Sequence, residues 1–210
     1  VYLRDGMVVA ECDHIDQIPR ALWRDTMGGS TLLGYDFTRC CEGVFGRLTD
    51  PRTHWESRYD FALAPSGEVL AATTTIETTI KDDMLSHPAV SGVVEQMRQT
   101  RPDVLCSKAM LVGTLLSEGN HLYIRDASPQ TQAGLSLLLA TIRKRFFASD
   151  CNVLLVRDFY KGEDVPLQRF IQGHGFLGAQ GPYSAHLDLC WESFEAYLAA
   201  LQSQARSAAR

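Results

Sequence analysis

Ser128-Pro129-Gln130-Thr131-Gln132-Ala133-Gly134-Leu135-Ser136-Leu137-Leu138-Leu139 opens the stretch that sets the fold class, and Val153-Leu154-Leu155-Val156 closes it. The Ser128 hydroxyl can cap a helix, and Pro129 stands in the first turn, where its missing N–H goes unneeded. Leu135, Leu138, Leu139, Ile142 and Phe146 then recur at helical spacing on one face. Asp150 ends that helix. Val153 to Val156 is a continuous apolar run, the pattern of a strand buried on both faces. A helix feeding such a strand implies a sheet that is at least partly parallel.

Working upstream, Ala109–Leu116 and His121–Arg125 read as two strands joined through Ser117-Glu118-Gly119-Asn120. Tyr59–Ala64, the turn Pro65-Ser66-Gly67 and the long strand Glu68–Ile80 make a hairpin. Its Thr73-Thr74-Thr75-Ile76-Glu77-Thr78-Thr79 run is β-branched and suits a pleated surface. A short helix over Val90–Gln99 fits between strands. Nearer the start come a strand at Met7–Ala10, helical spacing from Ile15 to Met27 and an amphipathic stretch from Phe37 to Leu48. Downstream, Asp164 and Pro166 open a short helix through Ile171, and Phe176-Leu177 and Tyr183–Leu189 read as the last strands. Trp191, Phe194, Leu198, Leu201 and Ala205 then form a helical seam that needs a surface, either its own sheet or a partner. The order gives an α/β (α+β) fold with a mixed, partly parallel sheet flanked by helices.

The 210 residues carry 20 Lys+Arg against 25 Asp+Glu, a net charge of −5, and 45% are hydrophobic. That composition excludes disordered and fibrous classes, and the acidic balance argues against DNA as the partner. No window reaches the ~18–20 consecutive apolar residues of a membrane span, and the first residues lack the pattern of a signal peptide. Cys12, Cys40, Cys41, Cys106, Cys151 and Cys190 are scattered without metal-ligand spacing, so no metal site is expected. Buried reduced thiols in a cytoplasmic protein are the expectation.

Chemistry-bearing residues gather after the apolar strand: Arg157, Asp158, Tyr160, Lys161, Glu163 and Asp164 fall within eight residues. A polar cluster there can steer an ammonium and hold a general base beside an amine. The alternative is a solvated loop with Asp164 as a helix cap. Asp158 emerges directly from the strand and is the leading base. Glu77 either faces outward or lines the cleft. His121 and His174 read as surface or capping residues, and no Ser/His/Asp or Cys/His order points to covalent catalysis.

Leu167-Gln168-Arg169-Phe170-Ile171-Gln172-Gly173-His174-Gly175-Phe176 resembles the helix, Gly-Phe, strand signature that closes a domain of the GNAT acyltransferase superfamily. The tail Leu187-Asp188-Leu189-Cys190-Trp191-Glu192-Ser193-Phe194-Glu195-Ala196-Tyr197-Leu198-Ala199-Ala200-Leu201 is similar to the junction after the first GNAT unit of FemAB-like proteins, and Ile15–Trp23 resembles their first helix. The resemblance implies a site where two parallel strands splay, which would set Arg125-Asp126 beside Arg157-Asp158-Phe159-Tyr160. It implies that Tyr183 donates a proton to the leaving group, a half-buried structural tyrosine being the alternative, and joins Asp158 and Glu77 as the catalytic candidates. Substrate contacts would come from Arg125, Asp126, Arg157, Tyr160 and Glu163.

Acyl-CoA-using members carry a Gln/Arg-x-x-Gly-x-Gly/Ala loop that cradles pyrophosphate. Here Gln130-Thr131-Gln132-Ala133-Gly134-Leu135 retains Gln130 and Gly134 alone, a degenerate loop for acyl-CoA; aminoacyl-tRNA is the other donor class of the FemAB-like branch. The implied organisation is one GNAT-like domain over 1–190 and a connecting helix over 191–210, with a second GNAT-like subunit or domain docking near Trp191–Leu201. The implied function is transfer of an acyl or aminoacyl group onto the amine of a small biosynthetic substrate. The alternatives are a heteromeric natural-product enzyme that activates an amine for intramolecular displacement or cyclisation without CoA, and a non-catalytic stabilising subunit.

Overall fold

The computed structural model describes residues 2–4, 6–28, 33–50, 52–84, 86–116, 121–160, 162, 164–180 and 189–201. The chain divides into two units, Val1–Gly178 and Ala179–Arg210.

In the first unit seven strands form one sheet: β1 (Tyr2–Arg4), β2 (Met7–Cys12), β3 (Glu56–Leu63), β4 (Val69–Lys81), β5 (Cys106–Val112), β6 (Leu122–Ile124) and β7 (Val153–Val156). The order is β1-β2-β3-β4-β5-β7, antiparallel except for the parallel pair β5–β7. β5 and β6 share one edge of β4 end to end: Thr75 to Lys81 pair with β5, Ala71 to Thr73 with β6. Among the described residues five helices accompany the sheet: α1 (Arg20–Thr26), α2 (Tyr35–Phe45), α3 (Pro88–Arg98), α4 (Pro129–Ala148) and α5 (Val165–Gly173). The expected mixed, partly parallel sheet flanked by helices is present.

The helical spacing from Ile15 to Met27 divides into a 3₁₀ turn at Ile15–Gln17 and α1. Pro19 causes the break, because the residue before a proline is driven out of the helical region, and Ile18 is extended at φ −105°, ψ 127°.

Period-2 alternation in the strands makes two cores. On one side α4 lays Leu135, Leu138, Leu139 and Ile142 against Val9, Leu70, Met110 and Val112. On the other, Ile15, Ile18 and Trp23 cover Tyr59, Phe61 and Ala72. Thr73, Thr74, Thr75 and Thr78 of β4 are buried, so each hydroxyl needs a partner: Thr73 donates to the His121 carbonyl, Thr74 to that of Arg58 and Thr78 to that of His54. One buried charge pair ties α4 to the sheet. Arg145 donates two bonds to Asp60 at 2.7 and 2.9 Å and one to Thr75 at 2.7 Å, while Asp60 is fully buried.

Three sequence expectations are corrected. β7 is not buried on both faces: it ends the sheet among the described residues, and Leu155 is 38% exposed. Phe176-Leu177 forms no strand, and Leu177 is 98% exposed. The cysteines are free, but they are half-buried or exposed and not buried. The expected strand Tyr183–Leu189 lies outside the described residues but for Leu189. Among the described residues no helix is long and apolar enough to cross a membrane.

The second unit contains α6 (Phe194–Ala200), opened by the Ser193 hydroxyl accepting from Ala196 N at 3.1 Å. Trp191 and Tyr197 stack edge to face with centroids 5.0 Å apart, while Phe194 and Leu189 stand exposed.

Candidate active site

β5 and β7 run in parallel register from Ala109 opposite Val153 to Val112 opposite Val156, and then diverge. On the β5 side Gly113 turns the chain at φ +113°, its N–H donating to the Thr74 carbonyl at 2.8 Å. The chain re-enters the sheet at His121, whose ring packs closely on Gly113: a Cβ there would sit 2.5 Å from the imidazole. Only glycine fits both the backbone angle and the approach. His121 is 1% exposed, and Thr73 fixes its carbonyl at 2.8 Å. The sequence placed it at the surface or at a cap. Its burial goes with the sheet edge, because β6 continues the line of β5 along β4 and sets the residue before it against Gly113.

On the β7 side the strand runs straight into Arg157 and Asp158. Asp158 adopts φ +66°, a left-handed conformation that short polar side chains tolerate at some cost. That turn aims its carboxylate back at the divergence. Asp158 Oδ2 lies 3.4 Å from His121 Nε2 and 2.9 Å from Arg157 Nη2. Arg157 is itself anchored, its Nη1 donating to the Thr114 carbonyl at 2.9 Å. Both contacts fall on Oδ2, which is buried and accepts no hydrogen bond among the described residues, and neither involves Oδ1. A carboxylate with an uncommitted oxygen can accept a proton from a ligand.

Thr114 also borders a narrow pocket of about 30 Å³ walled by Trp23, Phe37, Trp55, Tyr59 and Ile76. Its one acid, Glu42, accepts from Ile15 N, Tyr59 Oη and His14 Nδ1 at 2.8 Å each, so that carboxylate is spent on structure. Burial first, and the Glu42 carboxylate second, push the Tyr59 phenol above its usual range.

The other residues singled out from the sequence go elsewhere. Arg125 and Asp126 are not beside Arg157 and Asp158. Arg125 lies four residues beyond His121, roughly 13 Å along the strand, and pairs with Glu68 and Asp126. Asp126 holds the start of α4, accepting from Ser128 N at 2.9 Å and Thr131 Oγ1 at 2.7 Å. Bonds from Ser128 and Thr131 keep its carboxyl well below the usual range. Glu77 contacts Cys151 Sγ at 3.6 Å, ahead of β7, whereas Asp158 follows β7, so the strand separates them. Tyr160 is 42% exposed, and its N–H donates to Asp164. The Asp164 carboxylate thus holds the preceding loop, with no side-chain bond to its own helix. Tyr183 and Glu163 lie outside the described residues.

The residues of the degenerate loop do not form a pyrophosphate cradle. Gln130 is exposed on the first turn of α4, while Gly134 is buried within it, where a Cβ would come 2.8 Å from Leu70 Cβ. Gly134 serves helix–sheet packing, and the Asp126 carboxylate already occupies the positive end of the α4 dipole.

No protein-family model and no curated protein matches the chain. Among solved structures, a probable acetyltransferase is similar over 89% of this chain and 99% of its own, at 15% identity and a TM-score of 0.45. A mutant of a Bacillus halodurans protein is similar over 86% of this chain and 99% of its own, at 9% identity and a TM-score of 0.48. Likenesses this distant leave the site to be argued from the chain's own residues.

Proposed function

We propose that this chain is a GNAT-like transferase that moves an acyl or aminoacyl group onto the amine of a small substrate, with Asp158 as the base. The observation that carries this reading is the set His121, Arg157 and Asp158 at the point where β5 and β7 part. An amine attacks an acyl carbonyl only through its lone pair, so a proton must leave nitrogen. The N–C bond forms, the bond from carbon to the leaving group breaks, and Asp158 Oδ1 takes the proton. Arg157 and buried His121 flank Oδ2 at 2.9 and 3.4 Å, which supports their orienting the base through the step.

Asp126 at the start of α4 favours a second reading within the same class: activation of an amine for displacement or cyclisation without CoA. A carboxylate in that position repels pyrophosphate, and Gly134 is closed by Leu70. The proposal also includes a cytoplasmic setting and a second GNAT-like unit beside Trp191–Leu201, which the exposed Phe194 supports. The FemAB-like assignment belongs to the proposal too.

The test is aminolysis of 4-nitrophenyl acetate by a panel of primary amines, followed as amide formation. This activated ester needs no phosphate cradle. The expected result is acceleration with at least one amine, lost on Asp158→Asn. No acceleration with any amine, or equal acceleration by the variant, would overturn the reading.

A further inference from the structure

A pocket of about 240 Å³ lies away from the divergence of β5 and β7, where the last residues of β4 meet α3. Arg52, Thr79, Lys81, Glu95, Arg98, Gln99, Pro102 and Cys106 line it. Its volume is near the lower end of small-molecule sites, about 300–1,000 Å³. Three of the lining side chains are cations and one is an acid, in a chain whose net charge is −5.

The cations are positioned before any ligand arrives. Arg98 is 9% exposed, and its guanidinium is fixed from behind: Nε donates to the Val104 carbonyl, and Nη2 to Asp83 and the Leu105 carbonyl. Its Nη1 donates to Glu95 at 2.8 Å, and the Cys106 side chain of the same lining also lies against this guanidinium. Lys81 spends one of its three donors on Glu95 at 2.6 Å. Arg52 is held by Asp50 through Nε and Nη2, with no bond from Nη1 among the described residues. Cationic N–H groups thus reach one space from the segment before β3, from the end of β4 and from α3. Donors converging from three directions suit the tetrahedral acceptors of a phosphate better than a flat carboxylate, which asks for a single planar fork. Glu95 is half exposed on the rim and can yield to an incoming anion.

We infer that this pocket binds a small phosphate-bearing molecule, with Arg52, Lys81 and Arg98 as its anion contacts. The site is independent of Asp158 and of the transfer chemistry. Cys106 shares the lining, so its thiol reports occupancy.

Calorimetry with inorganic phosphate, at ionic strength held constant with chloride, tests this. The expected result is saturable binding in the millimolar range, weakened about five- to tenfold by Arg52→Ala and by Lys81→Ala. Glu95→Gln is expected to tighten binding, because it removes the pocket's one acid. Phosphate is also expected to slow iodoacetamide labelling of Cys106 while exposed Cys40 labels at an unchanged rate. Absence of saturation up to 50 mM phosphate, or wild-type affinity in both alanine variants, would overturn the inference. Lys81 is exposed and Arg52 sits on a loop, so neither variant threatens the fold.

Discussion

The imidazole of His121 and the carboxylate of Asp158, 37 residues apart in sequence, meet at 3.4 Å where β5 and β7 diverge. Each is brought there by an unusual backbone: Gly113 at φ +113° makes room for the ring, and Asp158 at φ +66° turns the carboxylate towards it. Gly113→Ala is therefore expected to destabilise the protein by about 2–4 kcal/mol, from strain at that angle together with the clash on the ring. Urea denaturation measures this. A change under 0.5 kcal/mol would mean that the ring is not seated as described.

The proposed role of Asp158 as a base does not require it to contribute to stability. Asparagine tolerates the left-handed region at least as well as aspartate, so Asp158→Asn should fold with a midpoint close to wild type. Far-UV circular dichroism and a thermal melt check this. A melting point lowered by more than about 8 °C would reassign Asp158 to a structural role.

Arg145 differs in kind. Burial alone would depress its pKa, and the bonds to Asp60 and Glu11 more than offset that, so it stays charged over a fully buried carboxylate. Arg145→Met strands Asp60 and should cost about 3–5 kcal/mol. Restoring neutrality with Asp60→Asn in the same chain should recover part of the loss. Equal instability of the single and double variants would argue against the pair.

At low pH the start of α4 should weaken. The folded pKa of Asp126 is depressed by its bonds from Ser128 and Thr131. Its contribution is thus present above the unfolded carboxylate value, near pH 4, and is lost as pH falls below it. Asp126→Ala should flatten the loss of stability between neutral pH and about pH 2. An unchanged slope would show that other carboxylates dominate acid unfolding.

Much of this fold is written in local periodicity. The stripe of Leu135, Leu138, Leu139 and Ile142, the Ser128–Pro129 start and the β-branched run of β4 each specify their element without help from distant residues. The place of Asp158, just beyond the end of an apolar strand, was legible for the same reason. His121 was not. Its burial depends on β6 pairing with β4 some fifty residues away and on the one glycine that admits its ring, and neither leaves a periodic trace. The exposure of Leu155 was equally hidden, because an apolar run reads alike at the centre and the edge of a sheet. Gly134 looked like a ligand-binding glycine, but it is a contact with Leu70, and one sequence cannot tell a glycine kept for approach from one kept for phosphate.

The most direct test compares wild type, Asp158→Asn and His121→Ala in amide formation from 4-nitrophenyl acetate and the best primary amine, across pH. The account predicts a loss of at least about a hundredfold for Asp158→Asn, in the range ascribed to a general base. His121→Ala, which removes only a neighbour of the carboxylate, should be less severe. Wild-type rates in both variants would contradict it.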